Sequence, residues 1–551
     1  MDIRRIHQLS EDMYKNHAFM LPLWQNIAME CWPEMADFNT QRNMGQELAD
    51  HLMSGLPSMC RRELGDAFES MTRTDDWFSM KTGDPERDLD NDARVWTERS
   101  NKRMRRIMYD RKAGFMRACK QVDHGYAAVG QWPMTIELNQ NRTGMLYRAW
   151  HLRDVAFQED ISGQVCTISH KIDNLSARDV CKMFPGKCSQ RIETLERDKP
   201  FEKVKIVRVI LPTEMTEGDG IRQPYVSIYY DPESQTELEV TGQWDPVYLI
   251  PRWNFSGSIS QYAHSPASII ANPDSRMFQQ MTLAMLDAAE KGANPPMVAR
   301  ADLFREDAPF SANSVGWADI EADEDIRKQM MVLPGDKSGM AFSMDMWNST
   351  KGQIARAWYN DMLQPPDTSR ARTAYEASII VQNHIRGLMP VFQPVTPEYQ
   401  APLCERTFNH LMRQGAFGPI QDIPESLQGT DIEFEFVSPI TQAQDQKKVA
   451  QFHQALDIIT LAAGVDPDAR YILDVKTSAR DALQGGEVQA KWLFSPQVSA
   501  DMVAQAAQQA QTQQMLDQVQ QGSEIAKNLT GADGAGIVPE NSRQPAPAFG
   551  A

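Results

Sequence analysis

DMLQPPDTSRARTAYEAS, residues 361–378, ends one helical pattern at two prolines and opens another after a hydroxyl-rich, basic gap. Pro365 and Pro366 carry no backbone N–H, and a proline pushes the residue before it toward extended angles, so the first helix is expected to end at about Leu363. Thr373 and Glu376 stand three apart, just ahead of the apolar run ASIIVQ. That is the spacing of a capping box, in which a hydroxyl at the N-cap and a carboxylate at N3 satisfy free amides reciprocally. The gap is then a loop of roughly nine residues, longer than a tight helical hairpin requires. Arg372 and Glu376 are also four apart, so an intrahelical ion pair is an equally available reading of that arginine.

Upstream of the gap, SMDMWNSTKGQIARAWYNDML (343–363) has helical periodicity. Further back, NPDSRMFQQMTLAMLDAAEKGANPP (272–296) is punctuated at both ends, with Asn272 at an N-cap, Pro273 at the first helical position, Gly292 past the end and Pro295-Pro296 as a stop. The spacing predicts a helix of about 19 residues. Between these helices, 297–340 mixes short apolar pieces, read as short strands, with acidic runs such as ADIEADEDIRKQ. Downstream, residues 372–415 read as mostly helical, and Pro390, Pro394, Pro397 and Pro402 are expected to kink or segment them. A strand DIEFEFVS (431–438) and more helices to about 495 follow. The Ala- and Gln-rich run from 500 then gives way to a Gly/Pro-rich tail read as disordered.

The N-terminal half divides in two. Residues 3–32, 44–59 and 92–121 carry helical patterns, the second interrupted near Gly55 and Pro57. From about 131 the pattern shortens to β-rich runs bounded by Gly, Pro, Asn and Asp: WPMTIELN, GMLYRAWHL, QVCTISHKI, VKIVRVILP, PYVSIYY, TELEVTG and PVYLIPRW. Small helices are expected around 175–184 and 189–197. The fold class is therefore α+β, mainly helical.

The chain has 551 residues, 42% of them hydrophobic, and a formal net charge of −18. Such a charge argues against general affinity for nucleic acid, which depends on replacing phosphate counterions with Lys and Arg. It does not exclude DNA as a neighbour, because a surface that lets DNA pass without gripping it would be acidic for the same reason. No stretch approaches 18 uninterrupted apolar residues and the first residues lack the apolar core of a signal peptide, so a cytoplasmic protein with no membrane partner is expected. The seven cysteines are scattered at 31, 60, 119, 166, 181, 188 and 404, without CxxC or zinc spacing, and are read as buried thiols.

An inventory of catalytic patterns comes back empty. LPGDKSGM (333–340) lacks the spaced first glycine of a phosphate-binding loop, and neither GxSxG nor HExxH occurs. DLDND (88–92) starts like a calcium loop, but Ala93 and Arg99 stand where the turn glycine and the bidentate glutamate belong, so it reads as a polar loop and helix start. The basic run from Arg99 to Arg117 is either a phosphate-contact surface or a solvated face that pairs with acids of a neighbouring subunit. Trp24, Trp32, Trp77 and Trp96 are read as core, and His124, His151 and His384 as structural. No catalytic, metal-binding or cofactor-binding residue is expected.

Several strings in fixed order carry a resemblance: ADHLMSGLPSM followed by DDWFSM, then AAEKGANPPMVA, RTAYEASIIVQNHIRGLMPVF, APLCERTFNHLMRQG and FVSPITQAQ (436–444). Together they make the chain resemble the portal, or head-to-tail connector, proteins of T7-like short-tailed bacteriophages over roughly residues 5–495. The 175–240 segment and SMCRRELGDAFESMTRT (58–74) depart from the family pattern.

The resemblance implies a structural protein that forms a ring, usually of twelve subunits, at one capsid vertex in the virion, after assembly in the host bacterial cytoplasm. Its implied partners are itself, double-stranded DNA in the channel, the terminase large subunit, tail adaptor or tail tube proteins, and capsid and scaffold proteins. By similarity, 1–265 looks like the wing, 266–292 and 341–363 like the stem helices, 293–340 like the clip and 364–372 like the tunnel loop. Residues 373–430 look like a long kinked helix returning to the wing, 431–499 like wing and crown, 500–530 like a crown or barrel helix and 531–551 like a disordered tail. Gln364, Pro365, Pro366, Asp367, Thr368, Ser369, Arg370 and Arg372 would then face DNA, with Lys351 and Arg356 as channel charges of the stem. The competing readings are another head–tail adaptor or structural virion protein, and a nucleic-acid-processing enzyme.

Overall fold

The computed structural model describes residues 2–436 apart from 41–44, 75, 85–89, 140–143, 217–219, 255–259, 294–296, 300–329, 333–337, 365–373 and 430, and continues in pieces between 452 and 512. Five helices open the chain: α1 (Ile3–Ala18), α2 (Leu21–Cys31), α3 (Leu56–Thr72), α4 (Asn91–Met108) and α5 (Phe115–Val129), with a short strand β1 (Phe78–Lys81) before α4. The expected helix over 3–32 is two helices, because Pro22 sits in the first turn of α2 and begins a new one. The pattern over 92–121 likewise divides, at Gly114, whose φ of +69° suits only a glycine at low cost. Asp90 caps α4 by accepting from the Asp92 amide, as the polar-loop reading of DLDND expects. The run over 44–59 fails as a helix: described residues 45–55 are turns and coil, and α3 starts at Leu56 with Pro57 in its first turn. The amides of Met53 and Ser54 instead donate to the side chain of Gln279, each at 2.8 Å.

All seven β-runs expected between 131 and 265 are strands: β2 (Met134–Leu138), β3 (Met145–Ala149), β5 (Val165–Ser176), β6 (Lys203–Pro212), β7 (Tyr225–Asp231), β8 (Thr236–Gln243) and β9 (Tyr248–Leu249). β4 (Val155–Glu159) was not expected. The small helices appear as α6 (Ala177–Met183) and α7 (Gln190–Asp198), capped by Ser176 and Ser189. An antiparallel meander, β4-β5-β6-β7-β8, is buried on both faces. Along β6, Val207, Val209 and Leu211 alternate onto the face that packs against Ile6 of α1. Val204 and Ile206 point oppositely, to Val180, Phe184 and Ile192 of α6 and α7. A smaller sheet, β3-β2-β9, joins the main core, where Trp24, Trp32, Trp77 and Trp96 are all buried.

The C-terminal half begins with α8 (Pro266–Ala293). This corrects the expected start at Asn272 and Pro273, which lie inside the helix. Ser265 accepts from the Ser268 amide at 3.3 Å and Pro266 fills the first position, so an earlier cap is available. The missing N–H of Pro273 costs one intrahelical bond, while Ala267, Ala271, Ser275 and Phe278 bury one face on both sides of it. A two-stranded antiparallel pair follows, β10 (Met297–Ala299) with β11 (Met330–Val332), consistent with short strands in this region. Then come α9 (Ser338–Ala357), α10 (Asn360–Leu363), α11 (Ala374–Phe392) and α12 (Ala401–Arg413), with a π-helical turn over Thr396–Gln400, so the prolines do segment the run after 372. The expected strand near 431–438 is β12 (Glu433–Phe436), which pairs with β1 across the chain. Residues 452–462 and 501–509 are helical. The 531–551 tail lies outside the described residues.

Candidate functional site: a projecting helical arm and the flanks of residues 364–372

α8 and α9 pack side by side. Phe278 stacks on Trp347 with ring centroids 5.1 Å apart, and the Trp347 indole N–H donates to Thr282 Oγ1 at 3.1 Å. The root of this pair is fixed to the N-terminal helices: the Arg276 guanidinium lies 3.5 Å from Glu30 of α2, and Gln279 Nε2 donates to the Ser54 carbonyl at 2.8 Å. Past Gln279 no residue of α8 is buried, and in α9 the first buried residue among those described is Thr350. At 1.5 Å per residue, the stretch of α8 from Gln279 to Ala293 carries the pair about 20 Å beyond the body. This arm exposes large apolar side chains: Leu283, Leu286, Phe342, Met344 and Met346 are all between 42% and 72% accessible.

The second arm helix does not run unbroken from 343 to 363. It stops at Ala357, and Tyr359 takes φ +60° and ψ +13°, a left-handed conformation that a tyrosine adopts only at a cost. The break is held by burial of Trp358 and Ile354, and by Asn360, whose side-chain amide donates to the Glu63 carboxylate of α3. α10 then ends at Leu363, as the prolines require, and Gln364 is extended (φ −72°, ψ +135°) and exposed. The far flank is rooted on the same helix, since Phe392 of α11 meets Phe68 of α3 edge to face at 5.3 Å. Met362 lies beside Gly387, where an added Cβ would meet its Cε at 3.7 Å. α11 starts at Ala374, so thirteen residues of helix, about 20 Å, separate that contact from its first turn.

Of the residues expected to face DNA, Gln364 stands at the exit of α10, while Pro365, Pro366, Asp367, Thr368, Ser369, Arg370 and Arg372 lie outside the described residues, as does Thr373 of the expected capping box. Lys351 is exposed on α9 with its ammonium 5.7 Å from the Trp347 ring centroid. Arg356 is exposed as well, and its Nε is 3.4 Å from Asp361 across the Tyr359 break. In the basic run, Arg105 turns inward, pairing with Asp76 and donating to the Phe78 carbonyl at 2.6 Å. Arg99, Lys102, Arg103 and Arg106 remain exposed on α4.

Sequence reading missed a set of buried arginines that tie distant segments together. Arg73 pairs with Asp123, each at most 3% accessible, and this carboxylate raises the guanidinium's proton affinity although burial alone would lower it. Arg252 joins Glu159 (2.7 Å) to Glu398 (3.5 Å) in the π-helical turn. Arg208 reaches Glu137 at 2.5 Å between the two sheets. These pairs link residues 50 or more apart in sequence, so no local spacing announces them. Among the described residues no group of three or more His, Cys, Asp or Glu is placed to hold a metal ion, and no helix is long and apolar enough to cross a membrane.

The described residues form a mainly helical α+β body with a paired-helix arm, an architecture consistent with a portal-type structural protein. The chain belongs to the family described as "Bacteriophage head to tail connecting protein", whose sequence pattern it matches over residues 4–487. It is 23% identical, over 93% of its length and 92% of the relative's, to a "Probable portal protein" of Bordetella phage BPP-1. It is 22% identical to a "Portal protein" of Salmonella phage epsilon15, over 88% of this chain and 84% of that one. The family is structural, not enzymatic; it places the chain at the head–tail vertex of a virion, with capsid and tail neighbours and copies of itself.

Proposed function

We propose that this chain closes into a ring whose channel conducts double-stranded DNA into the capsid and out again. In this reading α8 and α9 are the stem, the β10–β11 segment belongs to the clip, residues 1–265 are the wing and 364–372 form a tunnel loop. The observation that carries it is the arm: two paired helices leave the body with apolar side chains exposed around them, too much for a monomer to leave in water unless something covers them. Repeated head-to-tail contact between copies covers such surfaces all round and closes when the rotation is right. The clip would offer docking surfaces to the terminase large subunit and to tail adaptor or tail tube proteins, on a ring assembled with capsid and scaffold proteins in the host bacterial cytoplasm.

Electrostatics fit a conduit. A net charge of −18 per protomer disfavours tight retention of DNA, while Arg370 and Arg372, repeated around a ring, touch phosphates locally. Lys351 is better placed than Arg356 to add channel charge, because Asp361 partly neutralises the latter. Electron microscopy of the purified chain tests the reading: rings with a central hole are expected, and particles without one would refute it.

A further inference from the structure

The cysteines fall into two groups. Cys31, Cys60, Cys119, Cys166 and Cys404 are buried, as the sequence suggested, but Cys181 and Cys188 are half-exposed. Cys181 lies in the last turn of α6 and Cys188 immediately precedes the Ser189 cap of α7. The chain between them folds back tightly: the Phe184 amide donates to Val180 O at 2.9 Å, the Lys187 amide to Phe184 O at 3.2 Å, and Gly186 takes φ +73°. The Cys188 thiol donates to the Phe184 carbonyl at 3.5 Å, and the Cys181 and Cys188 side chains are close enough for each to influence the other's proton. Both cysteines line one open cleft of about 380 Å³, together with Arg178, Lys182, Glu193 and Glu196, so a small reagent can approach them.

We propose that Cys181 and Cys188 form a dithiol site that reacts with low-molecular-weight disulfides and closes to an intramolecular disulfide across the α6–α7 turn. The Cys188 thiolate attacks one sulfur of the reagent, RSSR, forming a mixed disulfide and releasing one thiolate. Cys181 then gives up its proton, attacks the Cys188 sulfur and expels the second thiolate. Two protein thiols and one RSSR thus become one protein disulfide and two RSH, with no other oxidant needed. The bond pins the end of α6 to the start of α7, the hairpin that covers one face of the five-stranded sheet. Burial, the largest influence on both thiols, raises them above the ordinary cysteine range, so the rate should climb with pH.

Oxidised glutathione at pH 8, followed by alkylation of the unfolded chain and mass spectrometry, tests this. Untreated protein should take up seven alkyl groups and treated protein five. Trypsin cuts after Lys182 and Lys187, so the peptides DVCK (179–182) and CSQR (188–191) should leave joined. Cys181→Ser should instead stop at a stable glutathione adduct on Cys188. Seven alkyl groups after treatment, two separate adducts without the joined peptide, a cross-link between two chains, or a Cys181→Ser variant that takes no adduct on Cys188 would each overturn the proposal.

Discussion

Trp347 stacks on Phe278 with ring planes 27° from parallel, and the same indole donates to Thr282 on the next turn of α8. This is the aromatic lock between the two arm helices, where they leave the body. Trp347→Ala removes both the stack and the bond and is expected to cost about 2 kcal/mol, below the range for a fully buried tryptophan because Trp347 is half-exposed. Trp347→Phe keeps a ring and loses only the hydrogen bond, about 1 kcal/mol. Denaturant titration at one protein concentration gives both values; equal losses would show that the ring stack contributes nothing.

Tyr359 supplies a backbone test. In an ordinary helix interior, Gly is less stable than Ala by about 1 kcal/mol. At φ +60° the order should invert, because Ala retains the Cβ clash and Gly does not. Tyr359→Gly should therefore be more stable than Tyr359→Ala by about 1 kcal/mol. The helical order of the two variants would mean that α9 and α10 run straight through.

Two buried histidines, His17 of α1 and His170 of β5, set an acid limit. Burial pushes His17 down to about 4, with its Nε2 3.0 Å from the Leu152 carbonyl, and pushes His170, beside Tyr248 at 2.6 Å, down to about 3. Both lie below the ordinary 6.5, so the folded state resists protonation that the unfolded chain accepts. Their contribution is fully present above pH 6.5 and is lost as the pH falls toward 4 and 3. At pH 5 the loss is about 2 kcal/mol for each. Melting curves at pH 7 and pH 5 should show this drop, reduced in His170→Asn, which cannot gain the charge; an unchanged difference in that variant would remove His170 from the account.

Loop chemistry separates conduit from scaffold. Arg370→Ala combined with Arg372→Ala should leave ring assembly intact and lower the amount of DNA packaged or retained in filled capsids. Loss of the ring in this variant would make the loop an assembly element.

The sequence made some of this visible and hid the rest for physical reasons. Gly- and Pro-bounded alternation gave away seven strands, and Pro365-Pro366 marked the end of α10, because those signals are local. The break at Tyr359 was hidden, since tyrosine is no usual left-handed residue and the bend is enforced by Trp358 burial and the Asn360–Glu63 bond. Residues 45–55 read as helix, but Gln279, more than 200 positions away, takes the amides of Met53 and Ser54. For α8 the punctuation at Asn272-Pro273 lost to packing of the face on both sides. The loop reading of 365–372 concerns residues outside those described, and their DNA-facing role came only through resemblance.

The most direct test of the proposed ring is native mass measurement of the purified chain, at low and at high protein concentration. Each protomer is 62.4 kDa. A single large species near twelve protomers is the expected result; a monodisperse monomer or dimer under both conditions would contradict the conduit.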